Sequence, residues 1–202
     1  FDTVVVATDD DRIANVCKEN GMNYIMTSNQ HPTSLNRIHE VSTLMSGDAF
    51  VSINGDEPLI KPESISRIIQ IYIDNPVYEI VNAMTVINDP VDVIDFTNIK
   101  AITNDKNECI YLSRSPIPYP KASLEFVYKK FVGITLLTRK ALQFFAETPR
   151  GIIESIEDCD SIRFIENHLI MRFVDIEAKT ISVDTEKDLD KVRYIISKRS
   201  DL

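Results

Sequence analysis

Glycine is scarce in this chain of 202 residues: there are five, and no two are grouped into a loop able to cradle phosphates. A glycine-rich phosphate loop is therefore excluded, so an anionic substrate would need local basic residues or metal ions. Cysteine is equally thin. Cys17, Cys109 and Cys159 are odd in number and lack any CxxC spacing, which excludes a disulfide framework and suits reduced, packed thiols in a cytoplasm. The three histidines, His31, His39 and His168, do not have the spacing of a zinc site. No Ser or Cys nucleophile motif is present, so covalent catalysis has no support. Basic residues are outnumbered 22 to 31, a formal net charge of -9. That balance argues against a nucleic-acid partner bound by phosphate neutralisation. No apolar stretch approaches the ~20 residues needed to span a membrane, and no signal peptide is evident. The first residue is Phe1, not Met, directly before a strand pattern. The expectation is that Phe1 is internal to a longer product whose amino-terminal segment is missing here.

What is present is an alternation of short apolar runs and amphipathic stretches, within a length that allows one sizeable domain. The run Ala49 to Ile53 reads as a buried strand that stops at Asn54-Gly55, and two carboxylates, Asp56 and Glu57, follow at once. Pro62 then opens a helix with Ile65, Ile68, Ile69 and Tyr72 on one face. In an open α/β sheet the carboxyl end of a strand is where ligands bind, so Asp56 and Glu57 stand where a hard cation with bound phosphates is expected. A solvated acidic turn is the plainer alternative.

In chain order, Thr3 to Thr8 is β-branched and apolar, followed by Asp9, Asp10 and Asp11 as a helix start. The helix runs to Gly21, a strand covers 23–27, and a polar loop from Ser28 to Asn36 leads into a helix closed by Gly47. This half predicts a parallel sheet covered by helices on both faces. The second half predicts a strand over 79–87 and a hairpin across 104–107. It also predicts a long strand over 128–138 around Gly133, helices over 141–147 and 152–167, a strand over 170–176 and a last helix from Thr185. Three prolines among residues 116–120 rule out regular structure there. No repeat or linker divides residues 1–202, which are expected to form a single domain.

Asp184 is the second acidic position of interest, after the short apolar segment Ile181 to Val183 and before a helix. It reads as a helix cap, or, paired with Asp56 from another strand end, as half of a Mg²⁺ site bridging substrate phosphates. Arg37 and Arg114 are candidate anion contacts, or ordinary surface arginines.

The order of these segments resembles the cytidylyltransferases that activate 3-deoxy-manno-octulosonate (Kdo) and their relatives acting on acylneuraminates. Val6-Ala7-Thr8-Asp9 is similar to a strand ending in ATD, and Thr27, Ser28, His31 and Arg37 resemble a TS–H–SGT–[DE]R loop. Asn54-Gly55-Asp56-Glu57-Pro58 is similar to QGDEP, and Tyr111-Leu112-Ser113-Arg114 with Ile117-Pro118 to YFSR–IP. Val132-Gly133-Ile134 falls at LGIY; Glu154, Ile156, Glu157, Ile162 and Arg163 follow E-x-IE–LR; Val183-Asp184-Thr185 with Asp188-Leu189 resembles VDTPEDL. The likeness spans nearly the whole chain.

The resemblance implies a Rossmann-like nucleotidyltransferase fold: a mixed, mainly parallel sheet flanked by helices, with a β-rich subregion for the sugar and for dimerisation. It implies transfer of a cytidylyl group from CTP to an acidic sugar with release of pyrophosphate, assisted by Mg²⁺ on Asp56 and Asp184. Ser34, Arg37 and Asn54 would face the nucleotide, and Arg114 and Asp160 the sugar. A homodimer is expected, with the 128–138 strand and the following helix as its interface. Several positions depart from the pattern: Thr33-Ser34-Leu35-Asn36 stands for SGT and its acid, Asn54 for Gln, Phe131 for His, Leu137 for an aromatic, and Asp160-Ser161 for EQ. A basic PAR–S–R–PGK loop would precede Phe1. The departures leave open another ulosonic or nonulosonic acid as substrate, or a diverged, non-catalytic nucleotide-binding or assembly protein.

Overall fold

In the computed structural model residues 3–177, 181–183 and 185–199 are described. The chain opens with β1 (Val6–Thr8) and β2 (Tyr24–Met26), which pair in parallel around α1 (Asp11–Glu19). Asp10 caps that helix, accepting from the Arg12 N–H at 2.8 Å. Gly21, at φ 66°, ends it. Met22 N–H reaches back to the Cys17 carbonyl at 2.8 Å and Gly21 N–H to Lys18 at 3.3 Å, a closure that needs a left-handed residue and so favours glycine.

A six-stranded sheet carries the rest. After α2 (Ser34–Leu44), capped by Thr33, come β3 (Ala49–Ile53), α3 (Pro62–Asp74) and β4 (Ile80–Val86). Then follow α4 (Pro90–Ile94), β5 (Lys100–Thr103), β6 (Cys109–Ser113) and β7 (Lys129–Thr138). The chain ends with α5 (Arg139–Glu147), α6 (Ile152–Glu157), α7 (Ile162–Glu166), β8 (Met171–Asp175) and α8 (Glu186–Arg199). The strand order is β6-β5-β7-β4-β8, with β3 also on β7. Strands β3, β4 and β5 each run antiparallel to β7, and β8 runs parallel to β4. Hence β3, β4, β5 and β8 point one way, β6 and β7 the other.

Strand β7 is the axis of the sheet. Along one edge it pairs with β4; along the other it pairs first with β5, at Lys130, and then with β3, from Ile134 to Thr138. Its alternating side chains divide the core. Val132, Ile134 and Leu136 join Ile68 of α3 and Val81 of β4 on one face. Leu137 joins Leu142 and Phe145 of α5, Phe164 of α7 and Phe173 of β8 on the other. This is the period-2 alternation of a strand buried on both sides.

Two expectations are corrected. The 152–167 stretch is not one helix: α6 stops at Glu157, Asp158 adopts the left-handed region at φ 46°, and α7 starts at Ile162. The cause is visible at the break, where Arg114 draws off the carbonyls of Glu157 (Nε, 2.6 Å) and Asp158 (Nη2, 2.9 Å). The 128–138 strand is also central in the sheet: Val132 to Leu137 are buried, which leaves only residues 128–131, Thr138 and the exposed side of the following helix from the expected dimer interface.

Candidate active site

The site lies where β3 and β5 part company on β7. Phe131 N–H still bonds the Ile99 carbonyl (2.8 Å) before β5, and Asn54 N–H bonds the Gly133 carbonyl (3.0 Å) at the end of β3. Strand edges that diverge in this way open a crevice at the strands' ends, where the side chains of several loops meet. A cavity of about 200 Å³ sits there, lined by Ser34, Ser52, Asn54, Ile99, Phe131, Gly133, Thr135 and residues 158–161. It adjoins a larger cleft of about 980 Å³ that shares Ser34, Ser52 and Asn54 and extends between residues 3–7 and 49–56.

Asn54, Gly55, Asp56 and Glu57 form the turn at the end of β3, closed by the Glu57 N–H on the Asn54 carbonyl at 3.2 Å. Asp56 is exposed on the cleft, and its carbonyl accepts from Val183 N–H at 2.8 Å, which ties the segment after β8 to this turn. Glu57 points the other way. Its Oε1 accepts from Gly133 N–H at 2.9 Å; Oε2 is buried with no hydrogen-bond partner among the described residues. Burial pushes the Glu57 pKa up, the Gly133 N–H opposes that, and the Asp56 carboxylate adds to it. The two adjacent carboxylates thus divide into one open to ligand and one locked onto the sheet.

Ser34 opens α2 behind the Thr33 cap and borders both cavities. Arg37, one turn on, lines the cleft while its Nη2 lies 3.1 Å from the Asp9 carboxylate and its Nη1 bonds the Thr27 hydroxyl. It therefore knits the ends of β1 and β2 to α2. His31 pairs with Glu40, whose carboxylate also accepts from Ser28 N–H at 2.9 Å, so the preceding loop is fixed as well. Asp160 lines the small cavity; burial raises its carboxyl pKa and the Thr33 hydroxyl partly offsets this.

Arg114 lines neither cavity. Its guanidinium donates to the carbonyls of Glu157, Phe96 and Asp158 at 2.6, 3.0 and 2.9 Å. Its own N–H meets Glu157 Oε2 at 2.8 Å. With five N–H donors on an arginine side chain, two remain for anything else. It acts on the cavity through the 157–160 wall. Asp184 lies outside the described residues.

Ser34, Asn54 and Asp160 are thus brought together in the small cavity, and Ser34, Arg37, Asn54 and Asp56 in the cleft. The oxygen ligands that Mg²⁺ prefers match the exposed Asp56 carboxylate in kind. No group of three or more His, Cys, Asp or Glu converges among the described residues. Local sequence does not single out Thr135 or Ser52, and Glu57, expected beside Asp56 at a cation site, is instead anchored to Gly133. Gly133 in the middle of a long strand was the one available signal, since glycine inside a strand marks a bulge or a close backbone approach.

The sequence model of the cytidylyltransferase family matches residues 1–194. The 3-deoxy-manno-octulosonate cytidylyltransferase of Koribacter versatilis is 32% identical over 198 residues, covering 98% of this chain and 75% of that protein. The Escherichia coli protein of the same name is 30% identical over 194 residues, 96% of this chain and 78% of that one. Among solved structures, CMP:2-keto-3-deoxy-manno-octonic acid synthetase complexed with CTP superimposes with a TM-score of 0.92 at 30% identity, over 98% of this chain and 81% of that chain. An inositol-1-phosphate CTP transferase from T. maritima, 14% identical with a TM-score of 0.62 over 97% of this chain and 75% of that chain, shares the fold.

Proposed function

This chain belongs to the cytidylyltransferase family, and on that premise we propose that it joins CTP to an acidic sugar, 3-deoxy-manno-octulosonate or a close relative. The products are the CMP-sugar and pyrophosphate. The observation that carries the reading is the fork on β7, which sets Ser34 and Asn54 on the shared wall of a nucleotide-sized cleft and a smaller polar cavity. In this reading the cleft takes CTP and the small cavity the sugar acid.

The anomeric hydroxyl of the sugar attacks the α-phosphorus, the bond to the β,γ-pyrophosphate breaks, and the hydroxyl proton is lost to solvent. No protein nucleophile is needed; catalysis rests on positioning and on charge neutralisation. Mg²⁺, when bound, supplies that neutralisation and orients the phosphates, with Asp56 and Asp184 as its protein ligands. Ser34, Arg37 and Asn54 orient the nucleotide. Asp160 and the wall held by Arg114 receive the sugar, with Phe131 and Ile99 as an apolar side. No helix among the described residues is long and apolar enough to cross a membrane; a cytoplasmic location is part of the proposal.

The test is pyrophosphate release by the full-length protein with CTP, Mg²⁺ and a panel of Kdo, an amino-substituted Kdo and an acylneuraminate. Release with one of them supports the reaction and selects the substrate. Absence of CTP binding overturns the reading. A homodimer belongs to the same proposal, with its interface moved away from β7. Val91, Ile94, Phe96, Tyr119, Leu124 and Val127 are each more than half exposed, and burying such side chains favours association. A monomeric mass by light scattering at micromolar concentration would refute it.

A further inference from the structure

The pairing of β4 with β7 is interrupted. Asn82 faces Thr135, but the next residue, Ala83, faces Val132, so Gly133 and Ile134 are extra on β7 and the strand bulges there. Both ends of the bulge are held by one buried side chain. Asn82 Nδ2 donates to the Val132 carbonyl at 3.0 Å, and its Oδ1 accepts the Thr135 hydroxyl. The bulge turns the Gly133 peptide toward the other edge, where β3 is ending.

At that edge an antiparallel rung would have Asn54 and Gly133 exchange both hydrogen bonds. Half of the exchange is made: Asn54 N–H reaches the Gly133 carbonyl. The other half is not: the Asn54 carbonyl turns to accept Glu57 N–H, closing the turn. Gly133 N–H instead donates to the Glu57 side chain. A carboxylate from the turn has taken the place of a main-chain carbonyl in the ladder. A larger residue at 133 would push both side chains aside: a Cβ there would stand 2.7 Å from Asn54 Nδ2 and 2.8 Å from Glu57 Oε1.

We propose that Glu57 is a positioning residue: by completing the last β3–β7 rung with its side chain, it fixes the turn that presents the Asp56 carboxylate to the cleft. The proposal rests on the cytidylyl-transfer reading above. Asp56 stands third of the four residues in the turn, between the Val183 N–H on its own carbonyl and the Glu57–Gly133 bond that anchors the fourth to the sheet. Outer partners of this kind orient a ligand that they do not replace.

The test measures direct Mn²⁺ binding by electron paramagnetic resonance in the presence of CTP, together with kcat and KM, on the full-length protein. Glu57→Ala is expected to weaken Mn²⁺ binding by about 10- to 100-fold and to lower kcat comparably, with both KM values within about threefold of the parent. Glu57→Gln keeps an oxygen for Gly133 N–H and is expected to stay within about threefold throughout. Gly133→Ala opens the same rung from the other side and is expected to weaken Mn²⁺ binding as Glu57→Ala does, with KM for CTP rising as well because the new Cβ also displaces the Asn54 side chain. If Glu57→Ala does not fold, the comparison of Glu57→Gln with Gly133→Ala decides. Loss of melting temperature in Glu57→Ala or Gly133→Ala with unchanged Mn²⁺ affinity in the folded fraction overturns the proposal, as does Glu57→Gln behaving like Glu57→Ala. Failure of the underlying reading looks different: Asp56→Ala would then bind Mn²⁺ with CTP as the parent does.

Discussion

Arg163 grips both oxygens of the Glu154 carboxylate, Nε at 2.7 Å and Nη2 at 2.6 Å, with Glu154 wholly buried. The remaining Arg163 nitrogen, Nη1, donates to the Phe145 and Thr148 carbonyls at 2.9 and 3.1 Å, and the guanidinium lies 3.8 Å from the Phe145 ring centre. One arginine thereby joins α5, α6 and α7 beneath the wall that carries Asp158 and Asp160.

Removing Arg163 leaves the buried Glu154 carboxylate with only the longer Arg150 contact, Nε at 3.6 Å, and breaking such a buried pair costs about 3–5 kcal/mol. Arg163→Met is expected to lower stability by that order. Urea unfolding should show a lower midpoint at unchanged slope.

Asp160 makes stability depend on pH. Burial raises its folded-state pKa above the ordinary carboxyl value, so the folded chain binds this proton more tightly than the unfolded one. The resulting stabilisation is complete below the ordinary value and is lost as pH rises through the raised one. Asp160→Asn, which stays uncharged, is expected to melt higher than the parent near neutral pH, the gap closing toward about pH 4. Melting curves across that range check it. The same variant is expected to bind the sugar acid more weakly.

Gly151 leaves room for a carboxylate from the next helix. A Cβ at 151 would fall 1.9 Å from Glu166 Oε2. Glu166 of α7 caps α6 through Ile153 N–H at 3.0 Å and Glu154 N–H at 3.2 Å. Gly151→Ala should displace that cap and cost about 1–2 kcal/mol, the worth of a helix cap. Glu166→Ala is expected to cost a similar amount, and the double variant little more than either, in the same unfolding experiment.

Asp56→Ala is expected to reduce kcat by about 100-fold or more while leaving the melting temperature close to that of the parent, because the side chain is exposed. Steady-state pyrophosphate release and a thermal melt together separate loss of chemistry from loss of fold.

Arg114→Lys is expected to loosen the 157–160 wall, since an ammonium cannot serve three divergent carbonyls as the guanidinium does. A rise in KM for the sugar acid with KM for CTP unchanged would register this.

Local sequence determined the elements wherever side-chain pattern and backbone chemistry are enough. The apolar run 49–53, Pro62 at a helix start, the Asp10 cap, the Asn104 hairpin and the Gly21 stop each act over a few residues, and each stands where it was read. The motifs around Asn54-Gly55-Asp56-Glu57 located the turn and the family for the same reason. Only the tertiary structure decided what distant groups do to one another. It broke the 152–167 helix with Arg114, 43 residues from Glu157 in sequence, and made the 128–138 strand the centre of the sheet. It also sent Glu57 to Gly133, 76 residues away, leaving Asp56 to face the cleft. Adjacent carboxylates carry the same pattern in sequence. Which one is locked and which is free depends on a bulge in another strand, and that information exists only once the strands have paired.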